Sequence, residues 1–340
     1  TGATFDITSS KSTDGTSFTP ASITINNIGS GYKVGDKLTI NNVGTITVTG
    51  LDSEEVQVPA DDNTVITTAL KNAGNVEFDI ITGAYNSAKA LQALDTYFTG
   101  TWGYAEETYG HYITAYQSDV VNDLVQNAGT FNFKTSTVIA IPTDLDLYQS
   151  IGLAVSQIAT TTQSNPSLPL RSFSLNSGVI SVANRWDIAT RNTLFNNGYS
   201  TVYADTAGNP TLERTRISAT TEDGITINDT SLETIFQTVY CAKAVRSGLS
   251  PFILNRKIIM NDDDVIAPST YVVTPNAIRG KCISIYSNLV NELVATDIDT
   301  FKKSLNVVID QDVNGRIDVY YPITLASGLN QIAINLSTQK

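Results

Sequence analysis

The chain has 340 residues, 41% of them hydrophobic and only 16% charged, with a formal net charge of −12. That length accommodates two or three domains, and the acidity repels nucleic-acid phosphates and anionic lipid surfaces, so neither nucleic-acid binding nor membrane insertion is expected. Two cysteines, Cys241 and Cys282, are too few for a disulfide framework or a four-ligand zinc site, and no apolar run nears the ~20 residues of a bilayer span.

Residues 1–70 read as all-β. Period-2 alternation runs through 22–25, 37–40 and 45–48, and turn residues separate the runs, among them Gly29-Ser30-Gly31 and Asn41-Asn42. The glycines at 29–35 lack the spacing of a phosphate loop and no helix is expected after them, so a β-turn is read there. This stretch carries acids well in excess of its lysines, Lys11, Lys33 and Lys37. The chain starts at Thr1 without a methionine and shows no signal peptide, which reads as a truncated or processed form.

From residue 76 strands and helices alternate. Strands are predicted at 76–81, 111–115 and 137–141, and helices at 87–98, 119–126 and 147–160. This order argues for a largely parallel sheet covered by helices on both faces. A helix at 187–196, closed by Gly198, precedes a hairpin of 200–204 and 211–215 turned at Ala207-Gly208-Asn209. Two long amphipathic helices follow. The first covers 231–247; the second starts with Thr274 as N-cap and Pro275 at the first helical position. Both cysteines lie on apolar stripes of these helices and are expected as buried free thiols. Strands at 305–309 and 316–321 come next. The last predicted strand, 331–336, alternates Ile332, Ile334 and Leu336 with polar residues and has no partner after it in sequence. Such a strand must join its own sheet or a neighbour's.

Candidate chemistry is sparse. His111 is the lone histidine, and no Gly-x-Ser-x-Gly elbow presents a nucleophile for it, so a hydrogen-bonded structural role is expected over catalysis. Asp310, Asp312 and Asn314, followed by Gly315, fit the first half of a calcium loop. Tyr321 stands where the bidentate glutamate belongs, and strands flank the motif, so a hairpin turn is favoured and calcium is the minor reading. Asp262, Asp263 and Asp264 form a solvated acidic run near Arg256 and Lys257. No catalytic residue and no cofactor are assigned.

Over residues 168–340 a series of motifs occurs in order: Leu168-Pro169-Leu170-Arg171, Gly198-Tyr199-Ser200-Thr201, Leu212-Glu213-Arg214, Asn255-Arg256-Lys257-Ile258 with Asp264, Thr274-Pro275 with Ile278-Arg279, Phe301-Lys302 with Leu305 and Val308, Asn314 to Val319 with Pro322, and Leu329-Asn330-Gln331-Ile332. This series resembles Mu-like contractile phage tail sheath proteins. The match is thinner over 76–165 and nearly absent over 1–70, and Ile309-Asp310 stands where the family carries a second Glu-Arg pair.

The resemblance implies an α/β core of subtilisin-like architecture, its sheet flanked by helices, with an N-terminal all-β domain and an α+β C-terminal domain. The corresponding divisions are 1–75, 76–230 and 231–340, the last ending in an intersubunit strand. It implies a structural role without enzymatic activity. Copies would form hexameric rings stacked helically around a tail tube, with baseplate and tail terminator proteins as further partners. The assembly would reside in the virion tail and be built in the host cytoplasm. Expected intersubunit contacts are Leu329, Asn330, Gln331, Ile332, Ile334 and Leu336, with Arg256, Lys257 and Arg279. The alternatives are a calcium-dependent adhesion module and a hydrolase using His111.

Overall fold

The computed structural model describes residues 4–11, 18–27, 37–40, 44–47, 62–74, 76–103, 107–264, 269–330, 332–334 and 336–337. It divides into two units at residues 60 and 61. In the first unit, β1 (Thr4–Lys11) pairs antiparallel with β2 (Phe18–Asn27), and β3 (Lys37–Ile40) with β4 (Gly44–Thr47). The three predicted runs fall on β2, β3 and β4. The expected turn at 29–35 lies outside the described residues.

The division corrects the expected boundary at residue 75. Residues 62–73, read as part of the β region, form helix α1 (Asp62–Ala73) in the second unit. Ile66 and Leu70, one turn apart, are buried in the same apolar cluster as Leu91 and Leu94. That helical spacing puts both side chains on one face and overrides the β-branched composition of the segment.

The second unit is built on a six-stranded sheet: β5 (Ile80–Thr82), β6 (His111–Gln117), β7 (Ser136–Ile141), β9 (Tyr199–Ala204), β10 (Pro210–Arg214) and β8 (Phe173–Ser174), in that spatial order. The first four are parallel; β10 pairs antiparallel with both β9 and β8. The connecting helices are α2 (Ala88–Thr101), α3 (Val121–Ala128), α4 (Leu147–Ser164) and α5 (Ile188–Asn196). Ser87, Asp146 and Asp187 cap α2, α4 and α5 by accepting from backbone N–H groups three residues on.

β7 explains why the sheet needs helices on both sides. All six of its residues are buried. Val138 and Ala140 face one core with Leu91, Phe98, Leu124 and Tyr199, while Ile139 and Ile141 face another with Ile151, Ile158 and Val202. Period-2 alternation with both faces apolar is the signature of a central parallel strand. Each fully buried aliphatic side chain contributes roughly 1.5–3 kcal/mol.

After the short hairpin β11 (Thr221–Glu222) and β12 (Ile225–Thr226), helix α6 (Leu232–Leu254) crosses from this core to a third one. Leu232 and Phe236 belong to the sheet core, and Cys241 to the third. The third core is closed by the parallel pair β13 (Ile258–Ile259) and β14 (Val272–Val273), helices α7 (Pro275–Asn291) and α8 (Ile298–Ser304), and the hairpin β15 (Asn306–Ile309) and β16 (Ile317–Tyr320). Both thiols are buried and free, as expected. Tyr286 stacks on Phe301 at its centre, ring centroids 3.8 Å apart.

Among the described residues of the predicted strand at 331–336, none forms a strand. Residues 332–334 and 336 carry no strand, and Ile332, Ile334 and Leu336 are 71%, 78% and 88% exposed. An extended segment needs backbone partners, and among the described residues it has none. No described helix is long and apolar enough to cross a membrane.

Candidate functional site

His111 opens β6 and is 1% exposed. Its Nε2 lies 2.9 Å from the Thr137 hydroxyl. Thr137 in turn donates to the Arg216 carbonyl at 2.9 Å. The hydroxyl proton is thus committed, and Thr137 accepts from His111, which fixes the proton on Nε2 and leaves Nδ1 as a buried acceptor without a partner. Burial pulls the imidazole pKa down to about 3, so the ring is neutral. A hydrolase would need a nucleophile whose proton points at this ring. The hydroxyl beside it points its proton at a carbonyl instead, so the ring is not placed as a general base there. A cavity of about 530 Å³ opens beside His111, between Trp102, Tyr109 and α6. The Lys243 amine at this cavity is neutralised by Glu77 at 2.7 Å and Asp79 at 2.6 Å.

The Asp310 loop is the turn of the β15–β16 hairpin. Asp310 Oδ1 accepts from the backbone of Asp312 at 2.8 Å and Val313 at 3.1 Å. Its other oxygen pairs with Arg316 at 3.2 Å, and Arg316 also reaches Asp318 at 2.6 Å. Gly315 takes the left-handed conformation, φ +83°, that the turn requires. The carboxylate that would head a calcium loop is therefore occupied by its own turn and an arginine. Among the described residues no three His, Cys, Asp or Glu side chains are grouped to hold a metal.

The acidic run at Asp262 lies on a short 3₁₀ turn. Asp262 accepts from the Asn276 N–H at 3.0 Å and Thr274 from Ala277 at 3.3 Å, so both cap the start of α7. Arg279 is held inside the chain: its guanidinium donates to the Lys302 carbonyl at 2.5 Å and to the Leu305 carbonyl, at the end of α8. Lys257 donates to the Thr270 carbonyl. Arg256 and Lys257 line a cavity of about 470 Å³ with Phe252, Ile278 and Val319.

The remaining candidates lie after β16. Residues 324–330 have little regular structure but are tied to the body. Asn330 accepts from Arg171 through its backbone carbonyl. Leu329 is exposed, and Gln331 lies outside the described residues. From residue 332 on, the aliphatic side chains meet solvent. β15 and β16 meanwhile form a sheet of two strands, and among the described residues no other strand pairs with either. Among the described residues, a two-stranded sheet and an alternating segment without a strand partner thus sit on one chain. The sequence located the segment by its alternation, whereas the tie to Arg171 carried no sequence signal, since the two residues are 159 positions apart.

Residues 60–216 match the family model described as phage tail sheath protein central domain. Over 262 residues the chain is 24% identical to the Mu-like prophage FluMu tail sheath protein of Haemophilus influenzae, covering 76% of this chain and 53% of that protein. The chain thus spans about half the length of this curated relative. Among solved structures, the sheath tail protein of Listeria innocua is similar with a TM-score of 0.55 at 11% identity, covering 95% of this chain and 73% of that one. The sheath tail protein of Desulfitobacterium hafniense gives 0.53 at 14% identity, covering 90% and 64%. The anti-feeding prophage helical sheath in its contracted state gives 0.53 at 11%, covering 88% and 79%. The mixed α/β fold is that of these sheath proteins.

Proposed function

We propose, from the match of residues 60–216 to the phage tail sheath protein central domain, that this chain is a structural subunit of a contractile tail sheath. The observation that carries the reading is the coexistence of the open two-stranded sheet, β15–β16, with the exposed alternating aliphatics Ile332, Ile334 and Leu336. A strand from one copy that completes the sheet of another satisfies both at once. Leu329, Asn330 and Gln331 lead into that strand, and Arg256 and Lys257 offer cations for a neighbouring acidic copy. Arg279 donates to carbonyls at the end of α8 and would take this role by exchanging those bonds.

On this reading the six-stranded α/β core is a subtilisin-like scaffold without a catalytic constellation, and His111 is a packing residue. Copies assemble as hexameric rings stacked in a helix around a tail tube, bounded by baseplate and terminator proteins. The sheath belongs to the virion tail and is built in the host cytoplasm. Contraction is a rearrangement between two packed lattices, linked throughout by the donated strands.

Negative-stain microscopy of the full-length protein tests this. Helical tubes or stacked rings are expected, and a monodisperse monomer at concentrations of tens of micromolar would overturn it.

A further inference from the structure

Between β16 and the exposed tail, the chain is tied to the body at alternate residues. Thr324 receives the Thr296 N–H on its carbonyl at 2.9 Å and donates its own N–H to the Tyr286 hydroxyl at 3.2 Å. Ala326 donates to the Val294 carbonyl at 2.9 Å and accepts from Gln237 at 2.7 Å. Gly328 lies so close to Pro169 that an added Cβ would come within 2.8 Å of its ring. Asn330 accepts from Arg171. The same even phase then continues as the exposed Ile332, Ile334 and Leu336.

The ties are unequal. Ala326 is held by backbone and side chain together, and Gln237 is itself braced by the Ser167 hydroxyl at 2.8 Å. Asn330 is held by a single side chain, and its Oδ1 is buried without a hydrogen-bond partner. A buried carbonyl in that state favours leaving the body. The next firm tie inward is four residues back.

We propose that Arg171 is a releasable clasp that positions the tail by setting where it leaves the body: at Asn330 when closed, at Ala326 when open. Four further extended residues add about 14 Å of reach. The inference rests on the sheath reading for its purpose, since a strand shared with a neighbour must follow that neighbour when the lattice rearranges. It does not rest on that reading for its geometry.

The experiment uses full-length protein with spin labels at Ser156→Cys on α4 and Ser337→Cys on the tail, both exposed; Cys241 and Cys282 are buried. Pulsed dipolar distances are compared in the wild-type background and in three variants. Arg171→Ala is expected to broaden the distribution outward by up to about 14 Å, and Arg171→Lys to restore part of the narrow population. Asn330→Ala, which removes the unpartnered carbonyl and keeps the backbone acceptor, is expected to narrow it. Identical distributions for wild type and Arg171→Ala, at unchanged thermal unfolding, overturn the clasp. If Arg171→Ala unfolds, the Asn330→Ala arm decides: no narrowing overturns it. Tube formation by the unlabelled wild type is scored separately, so failure of the sheath reading and failure of the clasp are distinguishable.

Discussion

At the scale of single residues, the polar groups that matter are buried ones with incomplete partners. His111 has a folded pKa of about 3 against an ordinary value of 6.5. Between those two pH values the unfolded chain binds a proton that the folded chain does not. The stability it contributes is therefore complete above about pH 6.5 and is lost as pH falls toward 3. His111→Phe keeps the packing against Phe236 and leaves Thr137 its bond to Arg216, so urea unfolding at pH 5 and pH 7 should differ less for the variant than for wild type. Glu233 acts in the opposite sense. Burial raises its pKa, so its contribution is full below the ordinary carboxylate range and is lost as pH rises through the raised value. One Glu233 oxygen accepts from the Leu170 N–H at 2.6 Å and the other has no partner. Glu233→Gln should accordingly gain stability relative to wild type as pH rises from 4 to 7, read from melting temperatures across that range. The sequence marked His111 as a structural histidine by its apolar neighbours. It gave no hint of Glu233, because a glutamate in the first turn of a helix reads as solvated until the packing of residues 167–170 against it is known.

At the scale of elements, close approach and capping decide stability. Gly110 precedes β6, and an added Cβ would stand 2.3 Å from the Phe98 ring and 2.6 Å from the Phe78 carbonyl. Gly110→Ala should destabilise by about 1–3 kcal/mol through overpacking, measured by urea unfolding. Arg279→Ala removes two charge-assisted bonds from the end of α8 and should cost about 1.5–3 kcal/mol in the unassembled chain; an unchanged unfolding midpoint would leave Arg279 to intersubunit contact alone. Strongly patterned elements were legible in sequence, including helices α2 and α5, the start of α7 capped by Thr274 and the turns at Gly208 and Gly315. Helix α1 was not, since Val65, Ile66, Thr67 and Thr68 favour strand locally and only burial of Ile66 and Leu70 among α2 side chains makes the helix pay. The bonds of Arg279 were not legible for a related reason: a cation near a loop looks available until the carbonyls that engage it are located.

At the scale of the whole molecule, the α/β alternation read from residue 76 onward matches the six-stranded sheet with apolar cores on both faces. The tail was legible as an alternating segment but not as an unpaired one, because a strand's partner is not written into its own residues. Ile334→Lys changes a side chain that is 78% exposed. It should leave the melting temperature of the unassembled protein within about 1 °C and abolish tubes in the microscope; a large loss of melting temperature would mean the segment is part of the fold. With Asp310 already taken by its turn and Arg316, calcium and chelator should give the same melting curve. A final consequence follows from the position of the two complementary parts. The tail and the β15–β16 hairpin are different surfaces, so joining them is not a twofold handshake that finishes with two partners. Each copy that gives a strand still has its own edges to offer, and the contact has a direction. On the sheath reading, growth through such contacts stops by itself only where the rotation closes a ring; along an open helix of rings the number of copies would be set from outside the subunit.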